Sequence, residues 1–138
     1  MTHSLWALLA FAGWTLVLAI AVVIWRLPLI VFKGYGVHKF PSGSQHGPDR
    51  YWRLNRAHAN ALENLLPFAV IVLVGRFSGF ALPLAQIMAP VVFCARMAQS
   101  LIHVAANTAA SVTLRFVAFL TQWLCMGAML VELSMAAR

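Results

Sequence analysis

From Leu5 to Trp25 the chain runs for 21 residues without a charged side chain. As a helix that stretch is about 31 Å long, enough to cross a hydrocarbon core of about 30 Å. A cleaved leader would have a basic region ahead of a shorter apolar run. This run is longer and has no such region, and Trp6 and Trp14 suit an anchored helix. The chain as a whole has the same character, with 62% hydrophobic and 9% charged residues, where soluble domains carry about 25% charged residues. So little polar surface cannot cover a face turned to water. A disordered chain, a soluble globular enzyme and a disulfide-stapled secreted module are all excluded. Cys94 and Cys125 lie in apolar stretches without CxxC or metal-ligand spacing and read as small hydrophobes.

Breaker residues divide the chain. Pro28 and Lys33-Gly34-Tyr35-Gly36 end the first span, and Gly34 to Arg50 holds four Gly, two Pro and two Ser, the composition of an irregular loop. Asp49 is the expected N-cap of a second helix that continues to Arg76. Arg76-Phe77-Ser78-Gly79 reads as a turn, and Pro83 suits the first turn of a third helix ending near Ala105. A connection over Asn107 to Ser111 leads to a fourth helix from Val112 to Met135. The expected fold is therefore all-α: a four-transmembrane-helix bundle forming one domain over residues 1–138. Its helices lie at about 5–32, 49–76, 82–105 and 112–135, with a first loop at about 33–48.

The formal net charge of +7 does not point to nucleic acid, because the cations are spread along the chain and mostly bracket hydrophobic runs. Lys33, Lys39, Arg50, Arg53 and Arg56 surround the first loop. Arg76 and Arg138 are the side-chain cations expected at the opposite side. That asymmetry places the first loop in the cytoplasm and both termini across the membrane.

Ionisable residues at membrane depth are the informative ones, since a charge at the centre of a spanning helix costs at least about 2.5–3.5 kcal/mol and usually faces a partner or a wet cavity. Arg53, Arg56, Asn60 and Glu63 follow one another at intervals of three, four and three residues and share one face of helix two. Pro67 cannot donate to the carbonyl of Glu63, which leaves an extra acceptor there. Two guanidiniums against one carboxylate leave this face positive, suited either to an anionic ligand or to an ion-pair network between helices. Arg96, Gln99, Ser100 and His103 share one face of helix three, and Arg96 has no acidic neighbour within a turn. Arg115 lies near the same membrane face as His103 and reads as a snorkelling anchor or a site residue. Glu132 reads as interfacial. His3, His38 and His46 are scattered without pairing, so no metal site is expected. The chain has no nucleotide loop, GxSxG elbow or HExxH motif.

The stretch Arg56-Ala57-His58-Ala59-Asn60-Ala61-Leu62-Glu63-Asn64-Leu65-Leu66-Pro67-Phe68 resembles the signature of the MAPEG family, the membrane-associated proteins in eicosanoid and glutathione metabolism, and its microsomal glutathione S-transferase-like members. Ala95-Arg96, the chain length, the four spans and the long basic first loop agree with it. The resemblance implies a homotrimer that holds glutathione between neighbouring subunits near the cytoplasmic side. It assigns Arg56, Asn60, Glu63 and Arg96 to glutathione binding, with Arg53 as a helper. Guanidiniums for two carboxylates and Glu63 for one ammonium would complement that tripeptide. In catalytic members an arginine near the start of helix four stabilises the glutathione thiolate. Here the matching position falls near Val112, and Arg115, with His103, is assigned that role. His103 stands where several members have a tyrosine, and Ala59 where one branch has an arginine.

Two functions follow from the resemblance. One is a membrane-bound glutathione S-transferase, with peroxidase activity as a variant, acting on lipophilic electrophiles delivered by the membrane lipid. The other is a non-catalytic lipid-binding or scaffold protein of the same fold. The retained Arg56, Asn60, Glu63 and Arg96 favour the first, and the shifted arginine and absent tyrosine favour the second. Prostaglandin or leukotriene synthesis is not implied.

Overall fold

The computed structural model describes residues 2–40 and 44–138. They form four helices, α1 (His3–Lys33), α2 (Asp49–Phe77), α3 (Pro83–Ala105) and α4 (Ala109–Ala136), with a 3-10 turn over Val37–Lys39. No strand occurs among the described residues, and all four helices are long and apolar enough to cross a membrane. The chain is thus an all-α, multi-pass integral membrane protein. Pro41, Ser42 and Gly43 of the expected first loop lie outside the described residues.

Local chemistry sets the helix ends. The Thr2 side chain accepts from the Leu5 N–H to start α1, and Gly34 ends it in the left-handed region at φ 60°, where a side chain would be strained. Pro83 occupies the first turn of α3, where its missing N–H costs nothing. Two boundaries correct the sequence reading. Asp49 is the first residue of α2 and does not cap it. Pro48 is the N-cap, and Asp49 contributes its negative charge to the positive end of the helix dipole. The fourth helix begins at Ala109 rather than near Val112, because Thr108 and Ser111 form a reciprocal capping box across its first turn.

Helix α3 packs against the other three helices, while α4 lies chiefly along α3. Phe11, Ala61, Phe68, Ala89, Val92 and Met129 are fully buried at the centre, and the rings of Phe11 and Phe68 stand 5.6 Å apart. The alanines let the backbones approach closely, as membrane helices require in the absence of a hydrophobic driving force between them. Leu16, Ile20, Leu66, Ile87, Phe116, Leu124 and Val131 point outward, toward a solvent as apolar as they are.

The two ends of the bundle are tied differently. At the end carrying both termini, Glu132 of α4 accepts hydrogen bonds from the N–H groups of Leu84 and Ala85, each at 2.8 Å. These belong to the first turn of α3, so the carboxylate caps that helix from outside. This replaces the expectation of a merely interfacial Glu132. Beside it, Ser4 N–H donates to Gln86 Oε1 and Gln86 Nε2 donates to Ser4 Oγ, both at 3.1 Å, which joins α1 to α3. At the loop end, Arg26 Nε donates to the buried Tyr51 hydroxyl at 2.6 Å, and its guanidinium lies over the rings of Phe40 and Tyr51. His46 stacks edge-on against Tyr51 and Trp52. The returning loop is thereby fastened onto α1 and α2.

Candidate functional site

Between the loop, the first turns of α2, the end of α3 and the start of α4 lies a cavity of about 470 Å³. Ligand pockets for small molecules span roughly 300–1,000 Å³. Its walls carry Arg53, Arg56, His103 and Arg115, together with Gln45, Asp49, Trp52 and Asn107. Three guanidiniums against the single carboxylate of Asp49 leave the lining positive. At the terminal end a cavity of about 120 Å³ lies between Gly75, Leu82 and Met129, room for a few water molecules, beside an open depression of about 590 Å³ over Thr2, His3, Phe80 and Gln86 that has no guanidinium in its lining.

Each cationic group reaches the cleft by a definite route. Arg53 Nε donates to the Val104 carbonyl at 3.3 Å, which ties α2 to the last turn of α3. Arg56, three residues on, is exposed. Arg115 donates through Nη1 to His103 Nδ1 at 2.6 Å and through Nη2 to Asn107 Oδ1 at 3.2 Å. A guanidinium has no acceptor, so His103 Nδ1 accepts and the ring proton sits on Nε2. Arg53, Arg56 and Arg115 all lie close enough to His103 to act on it electrostatically. On the acidic side, Gln45 Nε2 donates to Asp49 Oδ1 at 3.4 Å.

The other residues singled out by sequence lie deeper. Asn60 is half-buried, and its backbone carbonyl accepts from Asn64 Nδ2 at 2.9 Å. Glu63 is exposed on the outer face of α2, at mid-helix. The four polar residues of that face therefore do not form a closed network with one another. Arg96 is only 1% exposed, its Nε and Nη2 have no hydrogen-bond partner among the described residues, and its guanidinium lies over the Phe11 ring. Glu63 is within electrostatic reach of it. Next to Arg96, Ser100 Oγ donates to the Arg96 carbonyl at 2.9 Å, and Gln122 Nε2 of α4 donates to Gln99 Oε1 at 3.0 Å. Gln122 is fully buried with its own Oε1 unpartnered. The structure thus joins Arg53, Arg56, His103 and Arg115 in one cleft, and sets Asn60, Glu63 and Arg96 further along the same helices.

Sequence reasoning missed Gln45, Asp49, Trp52 and Asn107 as cleft residues. Asn107 carried a readable signal, a polar residue between an Arg-bearing helix and a His-bearing one. Gln45 and Asp49 carried none, since their place depends on how the loop folds back.

Four apolar helices with buried arginine and a cationic cleft at one end of the bundle define a polytopic membrane protein built around polar groups left without partners among the described residues. The model of the MAPEG family matches residues 4–135, nearly the whole chain, and this protein belongs to that family of membrane proteins associated with eicosanoid and glutathione metabolism. No curated protein matches it.

Proposed function

We propose that the protein is a membrane-bound glutathione S-transferase that conjugates glutathione to lipophilic electrophiles arriving through the bilayer. The observation that carries this reading is the cleft in which Arg53, Arg56 and Arg115 stand together with His103 against one carboxylate. A tripeptide with two carboxylates and one ammonium matches an array of guanidiniums with a few acidic groups. The unpartnered Nε and Nη2 of buried Arg96 fit the same ligand, because a buried guanidinium without acceptors is costly unless something supplies them.

In this reading Arg53, Arg56, Asn60 and Arg96 hold the carboxylates and backbone of glutathione, and Glu63 takes its ammonium. Glutathione supplies a thiol whose proton leaves to water and whose sulfur bonds to the electrophilic carbon as a leaving group departs. Arg115 lowers the cost of the negative sulfur by direct hydrogen bonding, with His103 bonded to it at 2.6 Å. Exposed Glu63, carried at mid-helix where charge is expensive, further supports assembly as a homotrimer in which a neighbouring subunit covers this face. The Lys/Arg bias supports a cytoplasmic loop end.

Calorimetry on detergent-purified protein tests the reading. Wild type is expected to bind glutathione and Arg96→Ala to lose that binding, and turnover of a chlorodinitrobenzene electrophile should follow. Absence of binding in well-folded wild type overturns it. A monomeric mass in native mass spectrometry overturns the trimer.

A second reading, a lipid-binding scaffold, is favoured by one observation: Arg115 already has two partners of its own. Bound lipid with no glutathione binding in the purified protein would establish it.

A further inference from the structure

Arg115 stands in the second turn of α4, past the helix start at Ala109. Side chains on a helix lean toward its N-terminus, which carries this guanidinium back toward the loop end. There it meets two acceptors from separate elements, His103 Nδ1 in the last turn of α3 at 2.6 Å and Asn107 Oδ1 in the α3–α4 connection at 3.2 Å. A lone arginine near a membrane boundary samples many rotamers and snorkels to water. This one is gripped at both terminal nitrogens.

A guanidinium has five N–H donors. The grip uses one on Nη1 and one on Nη2, leaving the second hydrogen of each and the Nε–H for the cleft that Arg115 lines. We propose that Asn107 and His103 are positioning residues, a two-point clamp that aims the free donors of Arg115 at the sulfur of glutathione. The inference rests on the transferase reading. It explains how an arginine below the first turn of α4 still serves the cleft, and why position 103 must offer an acceptor. The acceptor is Nδ1 of one tautomer, so a side chain that only donates cannot replace it. At Asn107 the oxygen, not the nitrogen, does the holding.

The test uses the full-length protein with ¹⁵N-labelled arginine and two readouts. In wild type the two Nη nitrogens of Arg115 are expected as separate resonances, because a fork held at both ends cannot rotate about Nε–Cζ. They should merge in Asn107→Ala and in His103→Ala, and separate again in His103→Asn, which puts an acceptor oxygen near the place of Nδ1. With glutathione bound, the ultraviolet thiolate band and kcat should fall about ten- to a hundredfold in both alanine variants, the cost of a reacting group misplaced by about 1 Å. The glutathione KM should stay within about twofold, since a positioning residue acts through Arg115 and not on substrate. Recovery in His103→Asn separates lost aim from lost folding. Merged Arg115 resonances in wild type, or resonances and kcat unchanged in Asn107→Ala, overturn the clamp. A wild type that binds glutathione without a thiolate band overturns the transferase reading and the purpose assigned to the clamp, while the nitrogen resonances still decide whether the clamp exists.

Discussion

The terminal end of the bundle gives its carboxylate, Glu132, to two backbone N–H groups of α3 and joins α1 to α3 through the Ser4–Gln86 pair. The loop end gathers three guanidiniums around Asp49 and leaves a cavity of about 470 Å³ between them. Both ends meet the same boundary between lipid and water, and both use polar side chains there. At the terminal end Glu132 and the Ser4–Gln86 pair set donor against acceptor within the chain, which is what stability requires. At the loop end donors outnumber acceptors, and a surplus of one sign is what recognition of an opposite charge requires. The chain has three acidic residues, and each has its own fate: Glu132 is bonded to backbone, Asp49 stands in the cleft, and Glu63 is exposed at mid-helix.

If the two ends divide the work in this way, substitutions at each should separate stability from activity. The largest effect is expected for Arg115→Ala, which should lower turnover by about 10²–10³-fold, the range for losing a donor aimed at developing negative charge. Its thermal midpoint and glutathione affinity should change little, and steady-state kinetics beside thermal unfolding in detergent checks both. Glu132→Ala leaves two helix N–H groups without partners and should cost about 2–3 kcal/mol of stability. Glutathione affinity should persist in the protein that remains folded. An unchanged unfolding midpoint would break the contrast between the ends.

Arg96→Met removes a buried guanidinium whose Nε and Nη2 are unpartnered. It should raise stability by about 1–2 kcal/mol while abolishing glutathione binding. A destabilised variant would mean that the buried charge has a partner supplied by the chain itself. The smallest effect belongs to Thr108→Ala, which breaks the capping box of α4 and should cost about 1 kcal/mol. Because Thr108 adjoins Asn107, a kcat loss beyond that expected from stability would mean that the cap also steadies the cleft.

The helices were legible because each depends on a long apolar run, and the length of such a run is a local property. The cleft was legible in part: Arg53 and Arg56 announce themselves by spacing on one helix, and His103 and Arg115 by being charged or polar at the same membrane face. The rest depended on contacts between residues distant in sequence. Glu132 finds its partners at Leu84 and Ala85 across a tertiary contact that no helical spacing encodes. The start of α4 was misplaced because its capping box uses Ser111 at the third position, where the readable signature has Glu or Gln. Arg26 and Tyr51 meet only because the loop folds back, and nothing in either segment names the other. The separation of Arg96 from the cleft arises in the same way. A helical face gives the direction of a side chain, and only packing gives the depth at which it is buried.

The bond from Glu132 to the first turn of α3 also has a consequence for how the molecule is made. The carboxylate lies on the helix that follows α3, so a nascent chain that has finished α3 still lacks the acceptor for the Leu84 and Ala85 N–H groups. The third span is completed by the fourth, and the two are expected to settle in the bilayer as a hairpin. A ribosome stalled before Glu132 would display a third helix that is correctly long and apolar, yet still open at its start.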